Sequence, residues 1–219
     1  MQLKIDLHVH TDASHDGLSS LREAADAAKR RGLDGIAITD HDHQLPANEA
    51  DRLSREVNLL ILPGVEVTTT SGHLLVLLPH SEFLPKSPFH EVVSKAIAEG
   101  SVAIVPHPTD PFSHGVGASF VRSLPYRLPL EVINASTLQR YNGSAQKLAT
   151  SLSVPGTGGS DAHMAIAVGD AFTVVEANSR SVDGVLDAIK SGRTSPAGGR
   201  TSLAVTVQGW LKKARRHNK

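Results

Sequence analysis

Short apolar runs alternate with amphipathic stretches along the whole chain, and the two periods predict alternating strands and helices. Residues 3–9 read as a first strand. Ser20-Leu21-Arg22-Glu23 has the capping-box pattern, and residues 21–31 read as an Ala-rich helix with a Lys/Arg end that Gly32 closes. Residues 34–39 read as strand two and 46–56 as helix two, Pro46 being tolerated in a first turn. Residues 59–67 and 73–78 read as strands joined by a Thr/Ser/Gly turn, 89–99 as a helix closed by Gly100, and 102–106 as a strand. The Pro-, Gly- and Ser-rich stretch 108–129 reads as a long loop, a candidate lid. Then follow strand 130–134, helix 144–152, short strands 154–159 and 171–175, and helix 181–190 closed by Gly192. Residues 193–202 read as loop and 204–216 as the last segment.

This alternation predicts an α/β chain with largely parallel strands. The polar side chains then separate a closed barrel from an open sheet. His8 and His10 end the first apolar run, and Asp16 follows soon after. His41 follows Ile36-Ala37-Ile38, Glu66 follows Leu59-Leu60-Ile61-Leu62, and His73 precedes Leu74. His107 follows Val102-Ala103-Ile104-Val105, and Asp161 and His163 follow the Gly-rich stretch 156–159. A barrel gathers all its strand ends at one mouth, whereas an open sheet offers only switch-point crevices. The expected fold is therefore a single-domain barrel of about seven strands.

The bulk numbers narrow the function. A chain of 219 residues suits one domain, which buries roughly 70% of its unfolded surface. Lys+Arg and Asp+Glu both total 22, so no global charge draws the protein to nucleic acid or anionic membrane. Cysteine is absent, which excludes disulfides and thiolate metal sites, and the twelve histidines make imidazole the expected ligand. No apolar run approaches the roughly 18–20 residues of a spanning helix, and the first residues read as a strand rather than a signal peptide. A cytoplasmic location is expected.

Each motif has a metal reading and a plainer one. His8 and His10 share a strand face and can grip one cation, or simply line a barrel. Gly159-Ser160-Asp161-Ala162-His163 offers a second Asp-x-His pair beside small residues that permit close approach; Asp161 alone could be a helix cap. In Thr39-Asp40-His41-Asp42-His43 the period of two groups His41 with His43 or Asp40 with Asp42, and a solvated turn is the alternative. Glu66 stands in an apolar run, where an unpaired carboxylate is costly, and it suits a bridge between two cations. His73 has the weakest spacing argument. His107, before Pro108, is expected in extended backbone that suits a fixed ligand, a turn histidine being the alternative. His15 competes with Asp16 for one position, and His80, His90 and His217 read as surface residues.

Together these motifs resemble the polymerase and histidinol phosphatase (PHP) family: Asp6-Leu7-His8-Val9-His10, His15-Asp16-Gly17, Thr39-Asp40-His41, Gly64-Val65-Glu66-Val67, Gly72-His73, Pro106-His107-Pro108 and Gly159-Ser160-Asp161-Ala162-His163. The resemblance covers about residues 1–200 and leaves 201–219 as a C-terminal segment with a basic tail. It implies a distorted (β/α)7 TIM-like barrel and two to three divalent ions of Mn, Zn or Fe. By resemblance His8, His10, Glu66 and Asp161 hold the first ion, Glu66, His73 and His107 the second, and Asp16, His41 and His163 the third. The implied reaction is hydrolysis of a phosphate ester by water that the ions activate. Asp40, His43 and His114 are the candidate acids, and Asn134, Arg140 and Arg200 the candidate phosphate contacts.

The expected substrate is a small-molecule phosphoester: a nucleotide, the end of a short oligonucleotide, or a sugar or histidinol-type phosphate. Two other classes compete. One is a non-catalytic RNA-binding barrel like the protein subunits of ribonuclease P, to which the basic amphipathic run from Trp210 to Lys219 lends support as a contact for nucleic acid, anionic lipid or a partner, a solvated helix end being the plainer reading. The other is amidohydrolase-like cleavage of a C–N bond. Low aromatic content, 4%, offers no evident base-stacking platform.

Overall fold

The computed structural model of the chain describes residues 1–217, and the side chains of Trp210 and of the basic run 213–219 lie outside the described residues. In chain order the elements are β1 (Gln2–Val9), α1 (Leu21–Arg30), β2 (Gly35–Ile38), α2 (Ala47–Val57), β3 (Leu60–Thr69), β4 (Gly72–Leu77), α3 (Phe89–Ala98), β5 (Val102–Ile104), α4 (Ala118–Ser123), β6 (Leu130–Asn134), α5 (Gln139–Leu152), β7 (Gly156–Gly159), β8 (Ala171–Glu176), α6 (Val182–Lys190), β9 (Thr194–Gly198) and α7 (Leu203–His217). The capping box before α1 forms as the sequence predicts. Ser20 accepts from the Glu23 amide at 3.3 Å, and the Glu23 carboxylate accepts from the Ser20 amide at 2.7 Å.

One sheet runs β5-β4-β3-β2-β1-β8-β9, and β6 pairs with β7. Two isolated bridges join these pieces. Val105 links β5 to β6 at Leu130, and Val9 of β1 meets Ala162 just after β7. Strands β1 to β7 thus close into a ring, the distorted (β/α)7 barrel. The interior is apolar below the mouth. Leu7, Ala37, Leu62, Leu75 and Ile104 form one buried cluster with Val185, Leu186 and Ile189 of α6. Helices α1 and α2 pack on the outside against Ile36, Ile38 and Ile61, and α3 and α5 against Val65, Leu74 and Val132.

The expectation of largely parallel strands is corrected. Among the described residues the β1–β2, β2–β3 and β6–β7 pairings are parallel, while β1–β8, β3–β4, β4–β5 and β8–β9 are antiparallel. The Thr70–Ser71 turn makes β3 and β4 a hairpin, so β4 runs against its neighbours and begins, not ends, at the mouth. Three other boundaries move. Residues 194–198 form β9 rather than loop, because they pair with β8. The stretch 108–129 contains a 3-10 turn at Pro111–Ser113 and helix α4. It is tied down by Gly115 N–Asp110 O and Gly117 N–Pro108 O bonds of 2.9 Å. Helix α5 starts at Gln139, a turn before the expected Ser144.

Candidate metal centre

The ring delivers every expected ligand to one mouth. His8 and His10 leave β1, His41 follows β2, Glu66 lies in β3, His73 begins β4, His107 follows β5, and Asp161 and His163 follow β7. In β1 the register against β2 shifts between Asp6 and Val9, the kind of irregularity that re-aims side chains. Leu7 therefore joins the apolar interior while His8 and His10 face the mouth.

Glu66 is the hub. Its Oε2 lies 3.3 Å from His8 Nε2, 3.3 Å from His10 Nε2 and 3.2 Å from His41 Nδ1. Its Oε1 lies 3.0 Å from His73 Nδ1 and 3.2 Å from His107 Nε2. Asp161 Oδ1 lies 3.3 Å from His10 Nε2 and 3.6 Å from His8 Nε2, and His163 Nε2 lies 2.7 Å from Asp16 Oδ2. Four overlapping groups could each hold an ion: His10, Asp16, His41 and His163; His8, His10 and Glu66; His8, His107 and Asp161; His41, Glu66 and His73. His73 Nδ1 is buried at 3.0 Å from Glu66 yet makes no hydrogen bond. Imidazole nitrogens and carboxylate oxygens gathered this closely suit a divalent cation.

The electrostatics agree. Burial would raise the pKa of Glu66 and Asp161, but the cationic charge of His8 and the hydrogen bonds from His10 hold both well below the usual carboxylate range. Burial would lower His8 and His10, but the surrounding carboxylates raise both, His10 to about 9. His41 is pushed down to about 4 by burial. Two buried carboxylates call for positive charge, which protons or divalent cations can supply.

A second layer of side chains fixes the candidate ligands. Glu131 in β6 accepts from His8 Nδ1 at 3.1 Å, from the His107 amide at 2.9 Å and from Asn134 Nδ2 at 2.9 Å. This leaves His8 Nε2 to point at the cluster. Ser14 Oγ accepts from the His41 amide at 2.8 Å and contacts His10 Nδ1 at 3.2 Å. Asp6 ties β1 to the loop of Asp161 and to the next turn, accepting from the Ser160 and Gly169 amides at 2.9 and 2.8 Å. Its burial raises its pKa to about 6 against those hydrogen bonds. At Gly159 a Cβ would stand 2.5 Å from His8 Cβ and 2.6 Å from Glu131 Oε1, so only glycine lets β7 come this close.

Comparison with known proteins gives the same answer. A family model described as PHP-associated matches residues 139–194. An uncharacterized protein of Methanocaldococcus jannaschii is 32% identical over an alignment covering 52% of this chain and 73% of that protein. A probable phosphatase of Citrobacter koseri is 28% identical over 76% of this chain and 81% of its own. The chain belongs to the PHP family. Two solved structures show the fold. A two-domain protein containing a predicted PHP-like metal-dependent phosphoesterase, from Bacteroides vulgatus, superposes with TM-score 0.73 at 20% identity over 97% of this chain and 70% of that one. The lesion-specific endonuclease PfuEndoQ of Pyrococcus furiosus does so with TM-score 0.62 at 18% identity over 90% of this chain and 59% of that one.

Within this PHP barrel the remaining expectations divide. Asp16 joins a cluster, whereas His15 is exposed with its ring 5.3 Å from His41. Asp40 does not face the cluster: Thr11 donates to it from its amide at 2.6 Å and its hydroxyl at 2.7 Å, so it holds the β1–α1 loop instead. His43 is exposed and outside every group. His114 is at the rim, its ring 5.1 Å from His73 and its carbonyl accepting from the His73 amide. Asn134 is buried and spent on Glu131 and Asp161, so it orients ligands rather than meeting phosphate. Arg140 bonds to Tyr141 Oη at 3.0 Å, away from the cluster. Arg200 lines a cavity of about 580 Å3 together with Asp16, Asp161 and His163. His107 is not extended but has φ +29°, and Asp161 has φ +53°. Two candidate ligands thus sit in the sparsely populated left-handed region, where strain collects at functional sites. Glu131 was missed, although a carboxylate in the apolar run Leu130–Ile133 is the same signal that marked Glu66.

Proposed function

We propose that the chain hydrolyses phosphate monoesters at a trinuclear metal site held by His8, His10, Asp16, His41, Glu66, His73, His107, Asp161 and His163. The observation that carries this is Glu66, a buried carboxylate ringed by five imidazole nitrogens. Divalent cations bound there supply activation of water and charge neutralisation of a phosphate. The chain's own residues do the rest. Glu66 and Asp161 set the charge of the site, Glu131 and Ser14 fix the His8 and His10 imidazoles, and Asn134 holds the Glu131 and Asp161 carboxylates. Water attacks phosphorus, the bond to the leaving oxygen breaks, and phosphate and an alcohol are released. His114, exposed at the rim beside His73, is the side chain that gives the leaving oxygen its proton.

Elemental analysis of the purified protein, run with phosphoesterase assays in Mn2+ for native protein and His8→Ala, tests the proposal. Two to three metals per chain with hydrolysis lost in the variant supports it. Absence of both metal and activity from the native protein defeats it. A nucleic-acid end is the second reading, favoured by the barrel shared with the endonuclease of Pyrococcus furiosus. Among the described residues no helix is long and apolar enough to cross a membrane.

A further inference from the structure

Helix α7 has two unlike faces. Val205 packs against the core cluster of α1 and α2, and a Cβ at Gly209 would stand 3.2 Å from Met164 Cε, so this side lies on the barrel. Leu203, Val207 and Leu211 point the other way. They are 70%, 42% and 56% exposed, and their spacing of four residues lines them up as one stripe. A helix packed on a barrel ordinarily turns polar residues outward. An outward apolar stripe on a helix already held from the inside marks a contact surface.

Charge decides what fits that surface. The chain is neutral as a whole, but residues 1–200 hold all 22 acidic groups against 17 basic ones, while residues 201–219 hold five Lys or Arg and no Asp or Glu. The stripe therefore leads into a purely cationic end. A second copy meeting it face to face would bring like charges together, which opposes self-pairing. Nucleic acid would use the cations but has no need of the stripe, and aromatic content of 4% offers few stacking rings. An anionic lipid surface uses both, taking cations at its headgroups and apolar side chains just beneath them. At 15 residues α7 suits lying on such a surface, since no described helix is long and apolar enough to cross a membrane.

We propose that α7 docks the protein on an anionic lipid surface, with Leu203, Val207 and Leu211 entering the boundary between headgroups and acyl chains and the basic end meeting the headgroups. Sedimentation of the full chain with vesicles tests it, comparing phosphatidylcholine alone with phosphatidylcholine containing about 30% phosphatidylserine. Binding to the anionic vesicles should be at least about tenfold tighter than to the neutral ones at low salt, and about 1 M salt should remove most of that preference. L203S/L211S should weaken binding to the anionic vesicles by about tenfold through lost apolar contact, and K212E/K213E by about as much through lost attraction. A native unfolding temperature in each variant shows that the barrel is intact. Equal or absent binding to the two vesicle types overturns the proposal. So does a loss in K212E/K213E with none in L203S/L211S, which would leave a bare electrostatic contact of the kind nucleic acid also makes. Self-association of the native protein, seen by light scattering and abolished in L203S/L211S, would assign the stripe to a second copy instead.

Discussion

Strands β3 and β6 each bury one carboxylate in an apolar run, yet the two do different work. Glu66 is 1% exposed and Glu131 2% exposed, so burial does not distinguish them. Their partners do. Glu66 faces five imidazole nitrogens, and among the described residues no backbone amide donates to its carboxylate. Glu131 takes a backbone amide, a side-chain amide and one imidazole N–H, each of them a committed donor. A buried carboxylate facing only imidazoles, whose protons a cation can displace, is placed to be a ligand, while one held by amide N–H groups, which keep their protons, is placed as a brace.

Substitution can break that contrast, and the largest effect is expected at Glu66. Glu66→Ala should strip the bound metals and bring hydrolysis to background, read by elemental analysis and Mn2+-dependent turnover. Retained metal stoichiometry would mean that the imidazoles alone make the site. Glu131→Gln should lower activity or metal affinity by about 10- to 100-fold without abolishing either, the usual cost of losing a partner of a metal-bound histidine. Equal losses at both positions would erase the distinction between ligand and brace.

Proton linkage sharpens the comparison further. His10 titrates at about 9 in the protein alone because Asp161 and Glu66 outweigh its burial, so near neutral pH it carries a proton that an incoming cation must displace. Mn2+ affinity should therefore weaken as pH falls below about 9, by about tenfold per unit for each proton expelled. Titrations at several pH values, with proton release followed in weak buffer, measure it; pH-independent uptake would show that His10 is not displaced. The smallest effect is expected at His43, exposed and outside the cluster. His43→Ala should keep kcat/KM within about twofold, since surface changes away from such features are close to neutral. A large loss there would move the acid role away from His114.

Most of the candidate ligands were legible because they end or interrupt an apolar run, and a barrel turns run ends into neighbours. What escaped was set by partners distant in sequence. Strand β9, Thr-Ser-Pro-Ala-Gly, has no apolar alternation and exists only because β8 offers it an edge, where Pro196 is tolerated. The reversal of β4 follows from the tight turn at Thr70–Ser71, and it explains why His73, the weakest ligand by spacing, belongs at the mouth. Asp40 and Asn134 looked available for chemistry because sequence does not show that Thr11 and Asp161 already engage them. His107 left the extended region expected before proline because the chain turns there at once, with the Asp110 amide donating to its carbonyl at 3.0 Å.

The ring closes where Asp161 N meets His8 O at 2.8 Å and His10 N meets Ala162 O at 2.9 Å. The ligands nearest the beginning and the end of the set therefore sit on the two sides of one seam. No partial chain lacking either side contains the centre, so cations can reward only the finished barrel and act as a clasp on its last joint. The amides of His10 and Asp161 would then be reporters of assembly. In the bare protein they should exchange with solvent through local opening of the seam, and with cations present their exchange should slow toward that of the buried strands.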